Sequence, residues 1–279
     1  MMEYCIRCKL ALREWEWSGR GFCEVCEDEM EKTPEILSFG GGVNSTAMLI
    51  GMQERGERPD VILFADTGGE KPETYAHVVA MNEWCKLKGF PEIETVRKQM
   101  TLEADCLARE SLPSKAFGFG TCSERFKLQP QRTWLRDHNI EKGVATWIVG
   151  IHAGETRRAK RDRNDFGEKI RYPLIEWGWS QEDCESAIVR IGMKTPIKSA
   201  CFFCPSMRKV EVIQLSKTHP DLFQRAIEME SAAIEAGEMT TCKGLGRHWT
   251  WEALVKSDDL QLRLFDDTQS PMCDVCVDW

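Results

Sequence analysis

The chain has 279 residues, 42% of them hydrophobic and 29% charged, and a formal net charge of −8 at pH 7. That length buries a sizeable core and suits one α/β domain with appendages. No segment has the uninterrupted apolar length of a membrane span, and the acidic balance argues against strong general affinity for nucleic acid.

Residues 1–33 carry Cys5-x-x-Cys8 and Cys23-x-x-Cys26, fourteen residues apart, with Gly19 and Gly21 between them. Two such knuckles supply four thiolates for a tetrahedral zinc, which would fold a segment too small for its own core. A four-cysteine site has no open coordination position, so the expected role is structural; the bland alternative is four free thiols. Thirteen cysteines in all, clustered in Cys-x-x-Cys pairs without an export-signal pattern, read as metal binding in a reducing compartment, so a cytoplasmic location is expected.

A short apolar run, Glu35-Ile36-Leu37, leads into Ser38-Phe39-Gly40-Gly41-Gly42-Val43-Asn44-Ser45-Thr46 and then the helical pattern Ala47 to Met52. A strand, a glycine turn and a helix start build an anion site, because the backbone approaches phosphate closely and the helix N-terminus adds partial positive charge. Asn44, Ser45 and Thr46 are natural caps and phosphate donors. The Lys-Ser/Thr ending of a Walker A loop is missing. The second strand, Val61 to Ala65, ends in Asp66-Thr67-Gly68-Gly69-Glu70-Lys71-Pro72-Glu73-Thr74-Tyr75. In an open parallel sheet such strand ends collect ligands. Asp66 is there either a nucleotide or metal contact or a helix cap.

Together the two loops resemble the adenine nucleotide α-hydrolase-like (PP-loop) superfamily, whose pyrophosphate loop reads Ser-Gly-Gly-x-Asp-Ser. Within it, the Asp-Thr-Gly…Pro-Glu-Thr-Tyr run is most similar to the phosphoadenylyl-sulfate (PAPS) reductase family. Gly40 replaces the family's Ser and Asn44 its Asp, which keeps the phosphate cradle but removes a carboxylate able to bind metal. Three further segments carry the resemblance, so that it spans roughly residues 34 to 230. Cys122-Ser123-Glu124-Arg125-Phe126-Lys127-Leu128-Gln129-Pro130 is similar to Cys-Cys-x-x-x-Lys-x-x-Pro. Gly150-Ile151-His152-Ala153-Gly154-Glu155-Thr156-Arg157-Arg158 is similar to Gly-x-Arg-x-x-Glu-Ser-x-x-Arg. Tyr172-Pro173-Leu174-Ile175-Glu176-Trp177 with Ser180 to Asp183 is similar to Pro-Leu-x-x-Trp-(Thr/Ser)-x-x-Asp.

The resemblance implies an open, mostly parallel five-stranded-type α/β sheet flanked by helices over 34–198, followed by a cysteine-pair and helical C-terminal region over 199–279. It also implies a nucleotide, ATP or a sulfonucleotide (PAPS or adenylyl sulfate), held with Mg²⁺ by Ser38, Gly40, Gly41, Gly42, Asn44, Ser45, Thr46, Asp66, Thr67, Gly68, Glu155 and Arg158. Lys127 would contact phosphate or stand as an exposed helix lysine. Glu155 and Arg158 would bind phosphate or form a solvated ion pair. The basic stretch Arg157 to Arg163 is a solvated face or a clamp for RNA or DNA phosphates. His152, at a strand end, could still donate to phosphate with a pH-dependent charge. His77, His138, His219 and His248 read as structural.

Cys201-Phe202-Phe203-Cys204-Pro205 is matched in the family to a pair that works with the cysteine equivalent to Cys122. The family implies an iron–sulfur cluster, [4Fe–4S], on Cys122, Cys201 and Cys204, with Cys242 a possible fourth ligand because Ser123 replaces the adjacent cysteine. A second zinc and inert packing thiols are the alternatives. Cys273-x-x-Cys276 is a candidate redox or sulfur-carrying dithiol, or a structural pair, although the family's Glu-Cys-Gly-(Ile/Leu)-His tail is absent. Cys85, Cys106 and Cys184 stand singly among apolar neighbours and read as buried packing residues. Val210 to Gly237 reads as helical, and a short helix resumes at Trp249.

The leading functional expectation is an ATP pyrophosphatase and sulfurtransferase: it adenylates a tRNA or DNA acceptor, releases pyrophosphate and delivers sulfur through a cluster or a cysteine persulfide. A sulfur-donor protein and a homodimer are the partners considered. A sulfonucleotide reductase and a non-catalytic nucleotide-binding regulator are the alternatives.

Overall fold

The computed structural model describes residues 33–161, 169–237 and 241–266. The zinc knuckles Cys5, Cys8, Cys23 and Cys26, the tail pair Cys273 and Cys276, and Arg163 of the basic stretch lie outside the described residues.

Five strands form one all-parallel open sheet: β1 Glu35–Phe39, β2 Val61–Asp66, β3 Ile93–Arg97, β4 Thr146–Val149 and β5 Lys169–Arg171, in the order β3-β2-β1-β4-β5. The expected sheet is therefore present. Ile36 pairs with Val61 on one side of β1 and with Trp147 of β4 on the other. The chain leaves β1 toward β2 on one side and returns as β4 on the other. Such a reversal opens a crevice beyond the strand ends, where open α/β sheets bind ligands. Strands buried on both faces need continuous apolar runs, and Ile36, Leu37, Ile62, Leu63 and Ile148 are all fully buried.

The chain divides into two compact units. One takes the described residues up to Phe64 with Ala80–Glu94 and Leu135–Thr195; the other takes Ala65–Val79, Thr95–Trp134 and the described residues from Pro196 onward. In the first, helix α1 (Val43–Glu54) follows β1 and is buried from Ser45 through Met52. A β-carbon on Gly51 would lie 2.3 Å from a ring carbon of Trp177, so the glycine lets that indole seat against α1. Arg55, just past the end of α1, stacks 4.1 Å over the same ring.

The second unit holds the start of helix α2 (Pro72–Leu87) and α3 (Leu102–Ala108), then a helical turn Thr121–Ser123, a π-helical turn Glu124–Leu128 and the start of α4 (Gln129–Asp137). Later come α8 (Lys209–Thr218), α9 (Pro220–Glu235) and α10 (Trp251–Asp266); α5 (Thr156–Arg161), α6 (Pro173–Glu176) and α7 (Gln181–Arg190) belong to the first unit. The single helix expected over 210–237 is two helices. His219 takes φ −139°, ψ 67°, and Pro220, which cannot donate a helix hydrogen bond, starts the second.

Phe126, Phe202, Phe203, Leu215, Ala226 and Trp251 belong to this unit's core. Beside them Glu230 is 2% exposed and accepts from the backbone of Leu245 at 2.7 Å and Trp251 at 2.9 Å, fixing the loop before α10. Burial holds its pKa above the ordinary carboxylate value despite those amides. A raised carboxylate pKa adds stability below the unfolded value that is lost as pH rises through the folded one. Lowering the pH from neutral toward 4.5 will therefore raise the stability of the wild type relative to Glu230→Gln, as measured by urea unfolding across that range.

Candidate functional site

The glycine loop sits in the first unit. Gly41 has φ +70°, which glycine adopts without strain. Gly42 caps α1 with extended backbone, no side chain caps the helix, and its first turn has no acidic residue. The hydroxyls of Ser45 and Thr46 donate to the Gly42 carbonyl at 3.2 and 2.9 Å, stiffening the turn. Ser38 lies within β1, paired to Leu63 and Val149. Gly150, just beyond β4, packs on the loop itself: a β-carbon there would lie 3.0 Å from Asn44 C and Ser45 N. The oxygen Oδ1 of Asn44 is buried without a hydrogen-bond partner. An orphaned acceptor at an uncapped helix start suits a bound group that brings donors or a cation, as a nucleotide with Mg²⁺ does. A β-carbon on Gly40 would meet only Ser45 Oγ, at 3.9 Å, so the departure from serine leaves the cradle intact.

His152 stays with its own turn: its Nδ1 accepts from Gly154 N at 3.2 Å, and its Nε2 lies 3.7 Å from Glu155. Glu155 and Arg158 form an exposed pair at 3.4 Å, with Arg158 67% exposed. That is the solvated arrangement, worth little as stability.

The loop after β2 belongs to the second unit. Asp66 Oδ1 accepts from Gly68 N and from Tyr75 OH, both at 2.8 Å, so one carboxylate oxygen serves as the turn's organiser. Burial and that carboxylate hold the Tyr75 phenol protonated, its pKa raised. Gly69 must be small, since a β-carbon would come within 2.6 Å of the Phe203 ring. Its carbonyl accepts from Phe202 N at 2.8 Å, and Glu70 bridges to Cys201 in antiparallel register. The Cys201–Cys204 turn is thus bound to the Thr67–Glu70 loop.

The side chains converge there. Thr67 Oγ1 and Cys201 Sγ are 3.1 Å apart, and Lys127 Nζ, from the π-helical turn, reaches Glu70 Oε1 at 3.2 Å. Glu70 is fully buried at its side chain and also accepts from Ser199 Oγ at 3.3 Å. Burial, reinforced by Glu70, pushes the Cys201 thiol up to about 12 against the pull of Lys127. Burial disfavours the Lys127 ammonium, but Glu70, Cys201 and Cys204 outweigh it and hold its pKa above the ordinary lysine value. Cys204 is half-buried, and its N–H donates to the Cys201 carbonyl at 3.0 Å. π-helical turns often mark functional positions, and here one turns Lys127 toward two thiols.

Two further thiols share this unit's core with Cys201 and Cys204. Cys242 lies in the loop fixed by Glu230, and Cys122 lines a cavity. Among the described residues no three His, Cys, Asp or Glu side chains are placed to hold a metal ion. Cys201 and Cys242 lie in one buried cluster of side chains, with Cys122 and Cys204 packed against it. Cys85, Cys106 and Cys184 are buried thiols, each pushed by burial to about 12, in keeping with packing roles. Glu70, Ser199 and the contact role of Gly150 were not singled out in the sequence. The one available signal was that Glu70 and Gly150 fall inside motif segments.

The profile of the phosphoadenosine phosphosulfate reductase domain matches residues 34–184. An uncharacterised protein of Methanocaldococcus jannaschii is 26% identical over 255 residues, covering 85% of this chain. The chain spans about half the length of that relative, 50%. Among solved structures, the phosphoadenylyl-sulfate reductase of Candida auris in its phosphate complex overlaps at TM-score 0.42 with 13% identity, covering 62% of this chain and 79% of that one. The U34-tRNA thiolase NcsA of Methanococcus maripaludis, with its [4Fe-4S] cluster, overlaps at TM-score 0.43 with 12% identity, covering 100% and 93%. No helix among the described residues is long and apolar enough to cross a membrane.

Proposed function

Because the chain belongs to the phosphoadenosine phosphosulfate reductase domain family, we propose that it is a nucleotide-dependent enzyme that activates an oxygen of a tRNA or DNA acceptor with ATP and replaces it with sulfur. The observation that carries this reading is the pair of thiols, Cys201 and Cys204, held beside the Lys127–Glu70 ion pair.

The loop at Gly40 to Thr46 grips the phosphates with backbone N–H groups and the N-terminus of α1. The acceptor oxygen attacks the α-phosphorus, the bond to pyrophosphate breaks, and the oxygen becomes a good leaving group as AMP. Mg²⁺, when bound with the nucleotide, would neutralise the departing pyrophosphate, with Asn44 Oδ1 a neutral oxygen able to hold it. Sulfur arrives as a persulfide on Cys204, loaded by a sulfur-donor protein. Its terminal sulfur displaces AMP, leaving a mixed disulfide between Cys204 and the acceptor. Cys201 attacks the Cys204 sulfur, freeing the thiolated acceptor and forming the Cys201–Cys204 disulfide, which an external dithiol reduces. Lys127 stabilises the sulfur anions that form in these steps, an electrostatic role that burial strengthens.

The test is sulfur incorporation from a labelled persulfide donor. Cys201→Ser and Cys204→Ser should each lower it by roughly a hundredfold while pyrophosphate release continues, since the thiols act after adenylation. Incorporation that survives both substitutions contradicts the proposal, as does sulfite release from a sulfonucleotide.

A further inference from the structure

A cavity of about 110 Å³ in the second unit is lined by Arg109, Ser111, Ser114, Thr121, Cys122 and Arg125, besides apolar side chains. None of these residues belongs to the glycine loop or to the Lys127–Glu70–Cys201 group. The two guanidiniums are organised by one buried carboxylate. Asp105, 8% exposed, accepts from Arg109 Nη2 and, in a fork, from Arg125 Nη1 at 3.4 Å and Nη2 at 3.2 Å. Arg109 Nε is bound to the Asp105 carbonyl at 3.2 Å.

One carboxylate cannot neutralise two guanidiniums, so the wall keeps a fixed positive charge. Arg109 Nη1 and Arg125 Nε take no part in those bonds, and the arginine side chains are 48% and 41% exposed. Orientation by Asp105 removes much of the entropy that a flexible arginine loses on binding. Hydroxyls of Ser111 and Thr121 add donors beside the guanidiniums, while Ser114 Oγ is already engaged as acceptor for Cys122 N at 2.8 Å. Water's share of liquid volume is about 30 Å³, so the space suits a tetrahedral oxyanion. Guanidinium pairs with adjacent hydroxyls recognise phosphate oxygens by charge-assisted hydrogen bonds.

We propose that this cavity is a second phosphate subsite, separate from the glycine loop, which takes either a phosphodiester of the acceptor strand or the phosphomonoester of a small nucleotide. It stands without the sulfur-transfer reading, since it needs only anion binding.

Equilibrium dialysis of the full chain against labelled inorganic phosphate tests it. The wild type should hold one phosphate in the loop and another in this cavity. Arg109→Gln should weaken the second by roughly tenfold while the first persists, which also shows that the variant is folded. Arg125→Gln should do the same, and Arg109→Lys should restore part of the binding. Gly150→Ala should weaken the loop phosphate by roughly tenfold or more and spare the cavity, so the two sites fail independently. In that Gly150→Ala protein, displacement by AMP identifies a phosphomonoester source, and displacement by an oligonucleotide without terminal phosphate identifies a phosphodiester. Phosphate binding in Gly150→Ala that is absent, or unchanged by Arg109→Gln and Arg125→Gln, overturns the proposal.

Discussion

Gly150→Ala should weaken ATP binding by roughly tenfold or more while the protein remains folded. The added methyl would stand 3.0 Å from the carbonyl carbon of Asn44 and the amide nitrogen of Ser45. Neither neighbour is a flexible side-chain end. Both are backbone of the first helical turn, locked by the Ser45 and Thr46 hydroxyls on Gly42. Gly150 directly follows β4, which is paired on both sides, so its backbone cannot retreat easily and the loop must move. Overpacking of this kind costs about 1–3 kcal/mol, and every 1.4 kcal/mol taken from binding is about tenfold in affinity. Gly40→Ser is the matched control. Its β-carbon meets only the Ser45 hydroxyl at 3.9 Å, so ATP affinity should stay within about twofold of wild type. Titration calorimetry with ATP reads both. Equal affinities in the two variants would mean that the loop is not the nucleotide's seat.

Lys127→Met should destabilise the protein by about 3 kcal/mol, near the lower end for breaking a buried ion pair, and should abolish sulfur transfer. Its partner Glu70 has a side chain with no exposed surface, leaving Ser199 Oγ at 3.3 Å as the remaining side-chain donor shown to it. The lysine is 35% exposed, which trims the figure because solvent screens part of the attraction. A second change, Glu70→Gln, removes the stranded charge, so the double variant should recover much of the loss in a double-mutant cycle. Urea unfolding decides the matter. A loss below about 1 kcal/mol, the range of exposed pairs, would place Lys127 among ordinary surface lysines.

Much of the glycine-loop half was legible from sequence because its signals are local. The apolar run of β1 and the three glycines report their own backbone, and the structure places a strand, a turn and a helix there; the caps expected at Asn44 to Thr46 lie instead inside that helix, whose N-cap is Gly42. The helix break at His219 was legible too, since Pro220 cannot continue a helix, but the apolar spacing across 210–237 outweighed it. The thiol site was legible only in part. Cys-x-x-Cys marks Cys201 and Cys204, whereas the burial of Glu70 comes from contacts with Lys127 and Ser199, 57 and 129 residues away. Cys242 joins the same core as Cys201, and its loop is fixed by Glu230, a carboxylate that nothing in the helical pattern of α9 distinguishes from solvated neighbours. Asp105 with Arg109 and Arg125 is equally silent, because one pair is a routine helical i,i+4 spacing and the other links positions 20 apart.

In the proposed reaction adenylation precedes sulfur transfer, and pyrophosphate release from ATP measures that step directly. With pooled tRNA or DNA as acceptor, the wild type should release pyrophosphate and AMP only when acceptor is present. Gly150→Ala should need roughly tenfold more ATP or above to do so, and Cys201→Ser should still release pyrophosphate. Acceptor-independent silence in the wild type, or sulfite formed from PAPS or adenylyl sulfate without pyrophosphate, would contradict the account.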